Sequence, residues 1–362
     1  MCSMPLLQLH KHFSFPLLEW FDRHGRKNLP WQQLKGAYPV WISEIMLQQT
    51  QVKTVIPYFN RFIRRFPDIE TLANASIDDV LAMWSGLGYY SRARFIHQTA
   101  KRICLDFANE FPQDINLLKT LPGIGPSTAA AIASLVFHQP TPILDGNVKR
   151  VLSRYFLVSG PVHTTSVTKK LWQLAADCMP SSRCADYTQA IMDLGATCCT
   201  FKNPSCNSCP LNKTCLAKLQ DKVANYPNKH PKKILPTKHQ QFILLHTKSN
   251  QLYLEKNPPN GLWGGLWCLP SIEESDCAMA FVQHKHGIKT DRAEKLMIIK
   301  HSFSHFHLHI KVVSIEVTAL MPTIGIDSRF FHPNEINRVG IAKPVNDIIH
   351  FFLTHKKKQI DL

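Results

Sequence analysis

Four cysteines, Cys199, Cys206, Cys209 and Cys215, form a C-x6-C-x2-C-x5-C run. One short loop therefore supplies four soft thiolates, a donor set for a metal or a cluster. Zinc sites more often pair two C-x2-C units. A single unit followed by Pro210 suits a [4Fe–4S] cluster better. Disulfides are the weaker reading, because the 11 cysteines are odd in number and Met1-Cys2-Ser3-Met4 opens no cleavable apolar leader. Cys198 competes for the first position, but it would widen the first gap to seven.

Two carboxylates stand out beside the thiols. Glu44 lies in Val40-Trp-Ile-Ser-Glu-Ile-Met-Leu-Gln-Gln-Thr-Gln-Val52, among apolar and amide residues. It is either a surface break in an amphipathic helix or a carboxyl in a dry pocket, which would keep it protonated near neutrality as a general acid. Asp145 lies in Ile143-Leu-Asp-Gly-Asn-Val-Lys-Arg150, where an isolated Asp-Gly-Asn would read as a helix N-cap. One acid that donates a proton and one carboxylate that stabilises a sugar cation form the pair that breaks glycosidic bonds.

These residues need elements to place them. Leu121-Pro-Gly-Ile-Gly-Pro126 separates two helical patterns, Ile115 to Leu121 and Ser127 to Phe137. Gly123 and Gly125 permit a tight helix-hairpin-helix turn, and the amides opening the second helix can bind a phosphate. A grip on DNA backbone without sequence preference follows. Asp145 comes just beyond this hairpin, where the sugar of a bound nucleotide would lie.

The whole-chain numbers agree with a nucleic-acid partner. Lys plus Arg 42 against Asp plus Glu 26 gives +16, a charge that seeks a polyanion if clustered and otherwise serves solubility. With 362 residues and 44% hydrophobic content the chain should fold into two or more domains. No run approaches the roughly 18 apolar residues of a membrane span, so a soluble, bacterial-type cytoplasmic protein without a membrane partner is expected. No long heptad run suggests self-association, so a monomer is expected. Residues 8–217 read as helical, 218–238 as a Lys/Pro-rich linker, and 239–356 as mixed strand and helix. Gln241 to His246 and Gln251 to Leu254 flank a turn, Phe306 to Val317 alternates as a strand, and Val345 to Thr354 closes the chain as a helix.

In its motifs the chain resembles the MutY-type adenine DNA glycosylases of the helix-hairpin-helix, iron–sulfur superfamily. The likeness rests on Gly25-Arg-Lys-Asn-Leu-Pro-Trp31, Trp41 to Gln51, Gly86-Leu-Gly-Tyr-Tyr90, the hairpin, Ile143 to Arg150 and the four cysteines, in family order. It implies a multidomain protein of α and α+β class, with a helical helix-hairpin-helix glycosylase domain carrying an iron–sulfur loop and linked to a Nudix-like α+β domain. The family removes adenine paired with 8-oxoguanine or guanine from duplex DNA. Carried over, Glu44 protonates the extruded adenine, Asp145 stabilises the sugar cation and Asn147 supports Asp145. Gln49 and Tyr89 wedge into the duplex; Tyr89 alternatively reads as a core aromatic. Cys199, Cys206, Cys209 and Cys215 hold a [4Fe–4S] cluster.

Two departures matter. Bifunctional relatives of endonuclease III type carry an attacking lysine where this chain has Ser127, so a monofunctional enzyme that leaves an abasic site is expected. Lys149 and Lys27 would then neutralise phosphates or trap product weakly. The cluster loop is basic in the family, whereas Thr200-Phe-Lys-Asn-Pro-Ser205 has only Lys202 charged. The cluster is expected to order this loop with neither acid tied to it.

The last third resembles the family's Nudix-like recognition domain through Gly261-Leu-Trp-Gly-Gly-Leu-Trp267 and Phe303-Ser304-His305. Ala280, Phe281, His284 and Lys285 stand where a Nudix hydrolase has its arginine and glutamates, so no magnesium site is expected. Phe303, Ser304 and His305 are expected at the lesion. His301, His305, His307 and His309 could suggest a metal, but their alternation favours solvent- or DNA-facing side chains. The rival functions are a bifunctional pyrimidine-lesion glycosylase and a noncatalytic lesion sensor.

Overall fold

The computed structural model describes residues 9–228, 234–288, 290, 292–317 and 325–360. Packing divides the chain into two compact units, one from residues 1–73 and 98–232 and one from 74–97 and 233–362. The span 8–217 is thus not one continuous unit, because residues 74–97 pack with the C-terminal part. Met1 to Met4 and His230 to Lys233 lie outside the described residues.

The first unit is helical: α1 (Phe15–His24), α2 (Ala37–Leu47), α3 (Val52–Arg65) and α4 (Ile69–Asn74) precede the crossover. In the second unit's early segment, α5 (Ile77–Trp84) leads into α6 (Ser91–Asp106), whose later part returns to the first unit. Then follow α7 (Ile115–Thr120), α8 (Pro126–Leu135), α9 (Gly146–Tyr155), α10 (Thr165–Asp177), α11 (Cys184–Asp193) and the short α12 (Leu216–Leu219). Trp41, Ile42, Ile45 and Met46 are buried on α2 at helical spacing, so this helix is anchored on its apolar face while Glu44 points elsewhere. Ala129 to Ala133 keep α8 narrow, and Ser134 reaches Thr188 at 2.8 Å to tie α8 to α11. The core joins Leu17 and Phe21 of α1 to Leu152 and Tyr155 of α9 and to Ala190 and Ile191 of α11.

The first part of the expected linker belongs to this unit. Arg154 donates to the Tyr226 carbonyl at 2.9 Å, and Gly160 donates its amide to Asn228 at 2.6 Å. Extended chain resumes at β1.

The second unit holds a seven-stranded sheet of β1 (Thr237–Thr247), β2 (Leu252–Lys256), β3 (Trp267–Cys268), β4 (Ser271–Glu273), β5 (Glu294–Ser302), β6 (His307–Val317) and β7 (Ser328–Phe331). Its path is β3-β2-β1-β6-β5, with β4 on β1 and β7 on β2. β1 and β6 run parallel from Thr237↔His307 to Thr247↔Val317, and β5 joins β6 antiparallel with a bulge between Lys295 and Met297. Helices α13 (Ala278–His286) and α14 (Lys343–Ile360) complete it. The α5 segment is fixed here by the Lys256–Asp78 ion pair at 2.8 Å, by Ser85 donating to the Ile341 carbonyl at 2.9 Å, and by Arg94 donating to the Gly264 carbonyl at 2.5 Å. Among the described residues no helix is long and apolar enough to cross a membrane.

Candidate active site and recognition groove

A hollow of about 1090 Å³ opens in the helical unit, and Glu44, Gln49, Gly123, Gly125, Ser127, Asp145 and Asn147 all line it. Residues far apart in sequence are brought together by α2, the α7–α8 hairpin and the start of α9. Gly123 has φ +75°, a left-handed turn that suits glycine, and Pro126 occupies the first turn of α8. The amides that open α8 after Pro126 have no carbonyl partner within their own helix, the arrangement that lets a helix N-terminus bind a phosphate. Ser127 stands in that same turn.

Burial pushes the Glu44 carboxyl up to about 7, and the negative charge of Asp145 adds to the shift. Glu44 is thus partly buried on the wall of the hollow and is not a surface break on an exposed helix face. Burial also raises Asp145, but the Val148 amide, Asn147 and the Arg150 charge oppose it. Asp145 is indeed the N-cap of α9: one oxygen accepts from the Val148 amide at 2.7 Å and the other from Asn147 Nδ2 at 3.0 Å. The cap and the candidate catalytic carboxylate are one group. Capping fixes its direction, and the helix dipole favours its ionised form.

Asn147 is held in turn by Arg150, whose Nη2 donates to Asn147 Oδ1 at 2.9 Å and to the Gly195 carbonyl at 2.5 Å. Arg150 Nε donates to the Cys199 carbonyl at 2.7 Å. Asp145 is thus connected to the cysteine loop indirectly, through Asn147 and Arg150. A Cβ on Gly195 would come within 2.6 Å of Asn147 Cβ, so the close approach requires glycine.

Cys199, Cys206, Cys209 and Cys215 line a separate apolar hollow with Cys198, Arg154 and Val223. Among the described residues no three His, Cys, Asp or Glu side chains close on a single metal ion. Four thiols around one apolar space are a donor set of the kind that a cluster would take. Burial pushes the Cys199 thiol up, and the guanidinium of buried Arg154, which donates to Cys199 Sγ at 3.3 Å, opposes that push, whereas Cys198 donates to the Ser205 carbonyl at 3.4 Å. The donor set fits a [4Fe–4S] group.

Lys149 is half-buried on α9 and does not line this hollow. Lys27 donates to the Asp22 carbonyl and sits 5.5 Å over the Phe21 ring. Arg26, Trp31, Gln189 and Met192, which the sequence reading did not single out, line the hollow as well. Arg26 is set by Asp193, which accepts its Nη2 at 2.6 Å, its Nε at 2.9 Å and its backbone amide at 2.7 Å. Arg26 and Trp31 lie inside a quoted motif and were within reach; Gln189 carried no local signal.

A second hollow, of about 840 Å³, lies within the sheet unit and is lined by Tyr89, Phe303, Ser304 and His305, together with Trp263, His301 and Arg94. Tyr89 is 54% exposed at φ +50°, directly after Gly86 and Gly88 of positive φ, so it is a presented side chain and not a core aromatic. Trp84 Nε1 and Arg92 both donate to the Gly88 carbonyl at 3.1 Å and fix that loop. Phe303 stacks on Phe306 at 4.7 Å and faces Trp263 at 5.5 Å. Of the histidines, His307 pairs with Ser302 at 2.9 Å and His309 meets the His239 ring edge-on at 5.0 Å. Helix α13 carries no acid, and its Lys285 pairs with Glu255 at 2.7 Å.

Comparisons with known proteins agree with both units. Residues 42–177 match the HhH-GPD superfamily of base excision DNA repair proteins, and residues 241–351 match the NUDIX domain. Two solved structures share the helical fold. A thermostable thymine-DNA glycosylase is 25% identical at a TM-score of 0.53, over 59% of this chain and 98% of its own. Endonuclease III in a non-covalent DNA complex is 18% identical at 0.52, over 60% and 99%. Fold and site thus define a base-excision repair protein with a helix-hairpin-helix unit and a NUDIX-type unit. The adenine DNA glycosylase of Buchnera aphidicola from Acyrthosiphon pisum is 41% identical over 94% of this chain and 97% of that protein, and the human one is 30% identical over 94% and 74%. The chain belongs to the adenine DNA glycosylases, hydrolases of base excision repair.

Proposed function

We propose that this enzyme hydrolyses the N-glycosidic bond of adenine paired with 8-oxoguanine or guanine in duplex DNA, leaving an intact strand with an abasic site. The observation that carries the proposal is the convergence of Glu44 and Asp145 on one hollow, in environments that give them different tasks. Extruding the adenine nucleotide costs on the order of a few kcal/mol, and Gln49 and Tyr89 fill the gap left in the stack. The first amides of α8, with Gly123, Gly125 and Ser127 around them, hold a phosphate, while Lys149 adds positive charge near the backbone.

Glu44 gives its proton to adenine N7, so the C1′–N9 bond breaks with neutral adenine as the leaving group. Asp145, steadied by Asn147, stabilises the positive charge that develops on the sugar. Water adds to C1′, and the Glu44 carboxylate takes the released proton, which restores the acid for another turnover. Ser127 has no amine and forms no Schiff base, so strand cleavage is not part of the reaction. Cys199, Cys206, Cys209 and Cys215 would hold a [4Fe–4S] cluster, which orders the loop that Arg150 connects to Asn147. Phe303, Ser304 and His305 read the opposing 8-oxoguanine. The enzyme works as a monomer on the DNA of a bacterial-type cytoplasm.

The test uses single turnovers on end-labelled duplexes with adenine opposite 8-oxoguanine, guanine or thymine, each with and without alkali. Breaks that appear after alkali alone, on the first two duplexes, support the reading. Breaks without alkali would indicate the bifunctional rival, and tight lesion binding without adenine release the noncatalytic sensor.

A further inference from the structure

The loop between the first two cysteines presents an apolar side chain where a DNA-binding loop would be expected to present charge. Phe201 is 50% exposed and forms part of the wall of the catalytic hollow, alongside Glu44 and Asp145. Its backbone is anchored on both sides. Arg154 donates to the carbonyls of Thr200 at 2.7 Å and Phe201 at 3.2 Å, and Arg150 donates to that of Cys199 at 2.7 Å. The Thr200 hydroxyl donates to the Lys202 carbonyl at 2.8 Å and closes the turn. Both guanidinium groups come from α9, the helix capped by Asp145. The ring is therefore registered against the carboxylate assigned to the sugar.

Single exposed apolar residues are ordinary, and Leu105 and Leu219 need no explanation. Phe201 differs from them in standing on an anchored loop at the wall of a functional hollow. An aromatic face there contacts a base or a deoxyribose without choosing between sequences, and without releasing counterions.

We propose that Phe201 is a positioning residue that packs its ring on the extruded nucleotide, so that this loop holds its substrate by apolar contact and not by an ion pair. The inference rests on the reading of the hollow as the adenine site. It requires only that the nucleotide enter the hollow, whatever the roles of the two acids.

The experiment uses the full chain and a duplex carrying 2′-fluoro-deoxyadenosine, whose glycosidic bond resists cleavage, opposite 8-oxoguanine. Binding is measured across a salt series for wild type, Phe201→Ala, Phe201→Trp and Phe201→Arg. Phe201→Ala is expected to bind about tenfold more weakly with an unchanged slope of log affinity against log salt. Phe201→Trp should bind as wild type does, and Phe201→Arg should steepen the slope by about 0.9 for one added phosphate contact. A duplex with 2-aminopurine in place of the adenine supplies a second reading: its fluorescence should be brighter with Phe201→Ala than with wild type, because the stacked quencher is gone. If Phe201→Ala does not fold, Phe201→Leu replaces it, with weaker binding at the same slope and brighter fluorescence expected. Wild-type affinity together with wild-type fluorescence in the truncated variant would overturn the proposal. So would a loss of affinity that comes with a changed salt slope. Failure of adenine excision by the wild-type enzyme would count against the function proposed above and would leave these binding outcomes unaffected.

Discussion

The catalytic hollow of the helical unit and the groove of the sheet unit use different materials. In the hollow, two carboxyls are half-buried and one is locked by hydrogen bonds of 2.7 and 3.0 Å. The groove instead holds rings 4.6 to 5.9 Å apart, from His301, Phe303 and Trp263, and an exposed Tyr89 that follows Gly86 and Gly88. The hollow is thus suited to moving a proton and stabilising charge, and the groove to meeting flat surfaces. Bond breaking demands fixed charge in a dry setting; recognition of a damaged base demands area and a few polar tips.

If that division holds, variants in the hollow should slow excision from every substrate, and variants of Phe303, Ser304 and His305 in the groove should change only the choice among substrates. The largest effect is expected for Glu44→Gln, about a thousandfold loss of single-turnover excision with duplex affinity kept within a few fold, as general acid catalysis is worth roughly 10²–10⁴. Asp145→Asn should follow at about a hundredfold or more, since removing charge stabilisation costs about 10²–10³. Arg150→Ala leaves both acids in place but frees Asn147 from the loop. A loss of about tenfold is expected, within the roughly 10²-fold that misplacement can cost. Wild-type rates for Arg150→Ala would show that the tie to the loop does not position Asp145. Ser304→Ala should lower excision opposite 8-oxoguanine by about threefold to tenfold, the value of one hydrogen bond, and leave the guanine mispair unchanged. Equal losses on both mispairs would break the comparison.

The smallest effect concerns stability. Glu44 titrates near 7 in the fold against an ordinary 4.5, so the folded state holds this proton more tightly than the unfolded chain. The sign follows: its contribution is fully present below about 4.5 and is lost as pH rises through about 7. Glu44→Gln should therefore raise Tm relative to wild type at pH 8 and not at pH 4.5. An equal difference at both values would mean that burial does not set the titration of Glu44.

Much of this was legible in the sequence because local chemistry announces itself locally. The cysteine spacing, the Leu121 to Pro126 turn and the Asp145 cap each lie within a few residues, and turns and caps are dictated at that range. The helical and sheet character of the two halves followed from periodicity in the same way. Longer-range features stayed hidden. Nothing in Arg150 itself indicates that it spans from Asn147 to the Cys199 carbonyl, and Gly195 shows its reason only when Asn147 lies against it. The packing of residues 74–97 with the sheet unit rests on pairs such as Lys256 with Asp78 and Ser85 with Ile341, which no window of sequence contains. Trp263 was quoted within a motif, yet its place beside Phe303 depends on how the loop before β3 folds back.

The mechanism turns on the proposal that burial holds Glu44 protonated so that it can donate to adenine. It is tested most directly by the pH dependence of single-turnover adenine release from a duplex with adenine opposite 8-oxoguanine. The rate should fall about tenfold per pH unit above about 7, with that decline absent from the residual activity of Glu44→Gln. A wild-type rate that stays level from pH 6 to 9, or a decline that persists in Glu44→Gln, would contradict it.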